Sequence, residues 1–200
     1  MASAQTLLEK LGAPTIVPRL EDSAVVIIDA QREYLDGNLP LVGIQAALQE
    51  IERLLARARQ KNVPIFHIQH LAPNGAALFA ADSKNVDFIE SVRPTKSEPV
   101  VVKHLPNSFA GTNLDVQLRA TGKTNVILAG FMTHMCVGAT ARGAQENGFI
   151  ATVIDSACAT RDLPGAGDDV IPAATIHSSN LASLSDLIAL IAPDVSSLRD

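Results

Sequence analysis

An acid, an amine and a thiol close three short apolar runs in this 200-residue chain. Asp29 ends the run from Ala24, Lys103 ends the run from Val100, and the run from Val126 leads through GFMTHM into Cys136. A thiol attacks carbonyl carbon once its proton is gone, and these three residue types together can manage that proton. A helix opening near Cys136 supplies the positive end of a dipole, a lysine adds positive charge, and both favour the thiolate. A carboxylate can take the proton. The expectation is a Cys136 with a pKa below that of an ordinary thiol. Taken singly, each residue has a plainer reading: Asp29 as a loop cap beside Gln31 and Glu33, Lys103 as a surface lysine, Cys136 as a small buried hydrophobe. What favours chemistry is that all three fall at the same edge of the sheet expected below. Cys158, in the run DSAC, has no helix start or charge partner nearby in sequence and is read as structural.

The elements that must position these groups follow from periodicity. Residues 24–29 form a continuous apolar strand, and strands are expected at 64–69, 100–103, 125–130 and 150–155. Ile44, Ala47, Leu48, Ile51, Leu54, Leu55 and Ala58 recur at three- and four-residue spacing and paint one face of a helix. Shorter helices are expected over 114–120, from near Cys136 to the Asn147-Gly148 stop, and over 185–191 after an edge strand near 180–184. Apolar strands alternating with helices mean a parallel sheet covered on both faces, whose ligands bind beyond the carboxyl ends of the strands. The stretch 73–99, with Asn74-Gly75 and three prolines, breaks this rhythm and is expected to be a lid or substrate loop, its Phe79 and Phe88 packed on the body or over a pocket.

Composition bounds the function. With 47% hydrophobic and 18% charged residues the chain is an ordinary globular sequence, and two hundred residues suit one domain. A net charge of -5 argues against nucleic acid or an anionic membrane as partner. The first residues, MASAQTLLEKLGAP, lack the order of a secretory signal, and two cysteines make no disulfide framework, so a cytoplasmic location is expected.

Three segments carry a family resemblance: VVIIDAQREYLDG with Asp29 and Gln31, VVKHLPNSFAGTNLD with Lys103, and VILAGFMTHMCVGATARGA with Cys136. Their order and separation resemble the isochorismatase-like cysteine hydrolases, which include nicotinamidases, N-carbamoylsarcosine amidohydrolase and ureidoacrylate amidohydrolase. The likeness runs from about Asp22 to about Ile191. It implies a three-layer α/β/α sandwich with a six-stranded, mostly parallel sheet, in one domain over 1–200 with an N-terminal extension over about 1–20. It implies a catalytic triad of Asp29, Lys103 and Cys136, a thioester intermediate, and a cis peptide between Phe131 and Met132. The backbone N–H groups of Met132 and Cys136 would then form an oxyanion hole. A homo-oligomer, dimer or tetramer, is implied as well.

The chain also departs from the family pattern. Many nicotinamidases carry an Asp-x-His pair, and FHIQHLAPNG has none; His67 and His70, three apart on a strand, would face opposite ways. No metal and no cofactor are therefore expected, and nicotinamide is disfavoured. His134 is expected to point away from Cys136. A thiol nucleophile favours a C–N bond (amide, ureido or carbamoyl) of a small molecule over the enol ether of true isochorismatases. Candidates for the substrate pocket are Gln31, Tyr34, His70, Phe109, Phe131 and Thr133. An enol-ether hydrolase and a catalytically silent binding or scaffold subunit stand as alternatives. A thiol redox protein would want Cys-x-x-Cys and a dinucleotide binder Gly-x-Gly-x-x-Gly after the first strand; neither is present.

Overall fold

The computed structural model describes residues 4–200. Six parallel strands form the main sheet: β1 (Ser23–Ile28), β2 (Ile65–His70), β3 (Val100–Lys103), β4 (Asn125–Phe131), β5 (Ile150–Ala159) and β8 (Ala189–Ala192), in the order β3-β2-β1-β4-β5-β8. A two-residue antiparallel pair, β6 (Leu163–Pro164) and β7 (Val170–Ile171), stands apart. Every residue of β1 is buried, which is why its sequence is apolar without alternation. Val25 and Ile27 face one core, with helix α2 (Ile44–Gln60) and the segment after β2. Ala24, Val26 and Ile28 face the other, with α3 (Leu114–Ala120), α4 (Gly138–Glu146) and α5 (Ala173–Leu187). The α2 stripe read from the sequence is the buried face, Ile44 through Ala58. A short N-terminal helix, α1 (Leu7–Lys10), is closed by a Thr6–Glu9 capping box and tied to α5 by the Leu7 N–H donating to Asp186.

The chain builds β1, β2 and β3 outward in one direction and then returns to lay β4 on the other side of β1. The crevice at such a reversal, at the carboxyl ends of the strands, is where open α/β sheets place ligands. Two backbone features shape it. Asp29 adopts φ 49°, a left-handed conformation that aspartate tolerates better than most residues, and turns the chain sharply off β1. Gly130, at φ 121°, lies against β1 so closely that a Cβ would stand 2.0 Å from the Ile28 carbonyl oxygen.

The C-terminal third differs from the sequence expectation. Residues 173–187 form one helix, and the edge strand follows it at Ala189–Ala192, paired with β5, in place of a strand near 180–184 and a helix over 185–191. AATIHSSNLASLSDL mixes Ala, Ser and Asn with few large apolar residues; only Ala173, Leu181 and Leu184 are buried. Its helicity comes from docking on the sheet, which periodicity does not report. Strand β5 also runs four residues past Asp155, with an irregular register between Leu128↔Val153 and Gly130↔Cys158 that bulges the intervening residues.

The 73–99 segment is fastened down. Gln31 donates to the Val86 and His70 carbonyls and accepts from the His70 N–H; Glu33 accepts from the Phe79 N–H; the Ile89 N–H donates to Ala30. Val86, Ile89 and Val92 are buried, and Phe79 sets its ring edge against Tyr34 at 5.1 Å and His70 at 5.0 Å. At its far end, Glu98 takes two bonds from Arg59 (2.8 and 3.0 Å), one from His67 (3.0 Å) and one from the Thr95 N–H.

Candidate active site

The three strand-end groups converge. Lys103 Nζ lies 2.8 Å from Asp29 Oδ2, 3.3 Å from Cys136 Sγ and 3.0 Å from His70 Nδ1. Of the three N–H donors of the ammonium, His70 Nδ1 and Cys136 Sγ each take a hydrogen bond, and the Asp29 carboxylate lies in ion-pair contact. Lys103 crosses from the edge strand β3 past the end of β2, where His70 is its register neighbour, to reach Asp29 beyond β1. Lys103 and Asp29 are fully buried and Cys136 is 5% exposed. Neither oxygen of Asp29 accepts a well-aligned hydrogen bond, so the carboxylate keeps capacity for another proton donor.

Cys136 sits in a single π turn, Thr133–Val137, that precedes α4. The peptide between Phe131 and Met132 is cis. The thiol is not acidified as its helix-start position suggested. Burial, then the negative charge of Asp29, push it up to about 12, and the Lys103 ammonium offsets only part of this. Desolvation and the Asp29 charge together outweigh the lysine. Burial likewise raises Asp29, with Lys103 drawing it back. His70 is depressed to about 4, first by burial and then by the charges of Lys103 and His104. It is thus a neutral acceptor at Nδ1, and its proton belongs on Nε2.

Ligand-type atoms of Asp29, His70 and Cys136 lie within 4.8 Å of one another, a grouping that could suit a metal ion. Lys103 Nζ reaches all three, so a divalent cation there would meet a positive charge already in place.

The other pocket candidates divide. Tyr34 and Phe131 are buried with ring centroids 5.9 Å apart, and burial, followed by the charges of Asp29 and Cys136, holds the Tyr34 phenol well above its ordinary range. Gln31 is fully buried and its amide is spent on backbone, so it is a strut. Phe109 stacks on Phe149 (5.9 Å, 29°), which precedes β5, at the opposite end of the sheet from the trio. Thr133 is fully buried, with its hydroxyl held by Ala159 and His177. His134 bonds Thr160 at 2.6 Å, away from the thiol. Cys158 is buried in the second core, its thiol also pushed up to about 12, chiefly by burial. The contact of His70 with Lys103 was missed; the parity of β2, which turns His67 and His70 to opposite faces, was the signal that could have found it.

A buried carboxylate–ammonium–thiol cluster at the reversal of a six-stranded parallel sheet defines a class of α/β hydrolase. The chain belongs to the isochorismatase family: the family model for the isochorismatase domain matches residues 23–170. It is 38% identical to a secreted isochorismatase effector of Verticillium dahliae over 90% of this chain and 93% of that protein. The crystal structure of an isochorismatase from Pseudomonas putida superposes with a TM-score of 0.91 at 37% identity, covering 98% of this chain and all of that one. A maleamate amidohydrolase of Pseudomonas putida is 30% identical over 66% of this chain and 69% of its own length.

Proposed function

We propose that this hydrolase cleaves a C–N bond of a small amide, ureido or carbamoyl compound, with Cys136 as nucleophile. The observation that carries this reading is the contact of Lys103 with both Asp29 and Cys136 in a buried cluster. Amidohydrolase relatives support it. Because the resting thiol is neutral, its proton leaves during attack. Asp29 takes that proton as Sγ bonds to the carbonyl carbon, and Lys103 keeps the carboxylate oriented and its charge compensated. The tetrahedral oxyanion is met by the N–H groups of Met132 and Cys136. Collapse breaks the C–N bond, the departing nitrogen takes the proton back from Asp29, and a thioester remains on Sγ. Water, deprotonated by Asp29, then hydrolyses the thioester and restores the thiol.

The test is ammonia release from a panel of amides, ureido acids and N-carbamoyl compounds. Cys136→Ala is expected to lose activity by at least about a thousandfold, while Cys158→Ala retains it. Activity surviving in Cys136→Ala, or none across a broad panel, overturns the reading. We also propose a homo-oligomer: the outer edge strand β3 leaves Val100 and Val102 exposed, with Leu105 and Val116 exposed nearby in sequence. Light scattering after size exclusion should give a multiple of 21.1 kDa, and the monomer mass would refute it.

A further inference from the structure

Thr133, the first residue of the turn that bears Cys136, is tied into a second polar chain that the reaction above does not use. Its Oγ1 lies 2.8 Å from His177 Nδ1 and 3.2 Å from the Ala159 carbonyl oxygen. His177 Nε2 lies 2.7 Å from Asp155 Oδ1. The three residues come from separate elements: the turn after β4, the first half of α5, and the bulged stretch of β5.

Proton counting orders the chain. A carboxylate and a carbonyl only accept, so Nε2 donates to Asp155, and the contact with Ala159 is made only by the Thr133 hydroxyl proton. If that proton goes to Ala159, Nδ1 must carry a proton of its own to bond Oγ1, and His177 is an imidazolium beside Asp155. If His177 is neutral, the hydroxyl turns to Nδ1 and Ala159 loses its donor. Either way Thr133 is held from the side of α5, at the point where the chain leaves Met132. From there the Met135 and Val137 N–H groups turn back to the Met132 carbonyl, at 3.0 and 3.2 Å.

We propose that Asp155 and His177 form a relay that fixes Thr133, and through it the turn from Met132 to Cys136, making His177 a positioning residue for the reaction. The proposal rests on Cys136 being the nucleophile. None of the relay's hydrogen bonds reaches the thiol; the relay sets where the Met132 and Cys136 amides point when charge develops on the carbonyl oxygen, and small misplacements of such donors slow the reaction strongly.

Two reagents at Cys136 separate this role from a general one. p-Nitrophenyl acetate acylates the thiol through a tetrahedral oxyanion and releases p-nitrophenolate; iodoacetamide alkylates it by displacement of iodide, with no oxyanion. In the full-length protein, Thr133→Val and His177→Ala should each slow acylation about tenfold or more and change alkylation less than about twofold. The double variant should be no slower than the slower single one, because both act through one chain. Thr133→Ser should restore acylation to within about threefold of wild type, and this pair of near-isosteric changes carries the test if His177→Ala fails to fold. Unchanged acylation in Thr133→Val, multiplying losses in the double variant, or alkylation falling in step with acylation would each overturn the relay. Failure of the wild-type protein to be acylated at Cys136 would overturn the nucleophile assignment instead, and the relay's purpose with it.

Discussion

At the scale of the residue, the chemistry turns on one ammonium that hydrogen-bonds His70 and Cys136 and ion-pairs with Asp29. Removing it exposes the balance: Lys103→Met leaves a fully buried carboxylate without its counter-charge, and should abolish activity and destabilise the protein by about 3–5 kcal/mol. Adding Asp29→Asn should recover much of that stability and none of the activity, as urea titration and ammonia release would report. A double variant as unstable as Lys103→Met alone would contradict the pairing. The thiol pushed up to about 12 makes a kinetic prediction. Alkylation of Cys136 by iodoacetamide should climb with pH through 7 to 10 without levelling off, since the thiolate fraction keeps growing below the pKa. A plateau near neutrality would mean a preformed thiolate and a different proton route.

At the scale of the element, two positions bear the tightest constraints. Gly130→Ala drives a Cβ into the Ile28 carbonyl at a positive φ, so β1 and β4 must separate. A loss of about 3 kcal/mol or more is expected from thermal or urea unfolding, and a near-neutral effect would contradict the described contact. Glu98 clamps the end of the 73–99 segment. Burial pushes its carboxyl up, but the Arg59 bonds, the Thr95 N–H and nearby His67 outweigh that and hold it at about 2, below the ordinary 4.5. A folded-state pKa below the unfolded one means stability that is full above pH 4.5 and lost as pH falls toward 2. Glu98→Gln should lower the melting temperature at pH 7 and flatten that acid limb. An unchanged acid limb would show that the clamp is not what titrates. The polar chain from Asp155 to Thr133 belongs to this scale as well, because it ties α5 and β5 to the turn beneath the thiol.

At the scale of the whole molecule, burial of both thiols couples folding to alkaline pH. Cys136 and Cys158 each stand at about 12 against 9.0 for an ordinary thiol. A raised folded-state pKa contributes stability that is full below pH 9 and fades as pH rises toward 12, because only the unfolded chain ionises freely there. Cys158→Ala should therefore lose less stability between pH 8 and pH 11 than the wild type, measured by urea midpoint. A parallel loss in both would mean that Cys158 is not the titrating group. Among the described residues no helix is long and apolar enough to cross a membrane.

Much of this was legible in the chain itself. β1, the α2 stripe and α3 follow from apolar runs and three- and four-residue spacing, because those elements bury large side chains with a clear period, and β3 follows from its run of three valines although only alternate residues are buried. Asp29, Lys103 and Cys136 were legible as strand-end polar groups, since the sheet rule says where such groups must gather. Three things were decided only by tertiary structure. Helix α5 lacks contrast between its faces and owes its extent to docking. The Cys136 pKa has the opposite sign from the local expectation, because desolvation is a property of everything packed around the thiol. His70 and His177 acquire partners 33 and 44 residues away, and no local pattern encodes which acceptor a distant donor will meet once the strands are laid side by side.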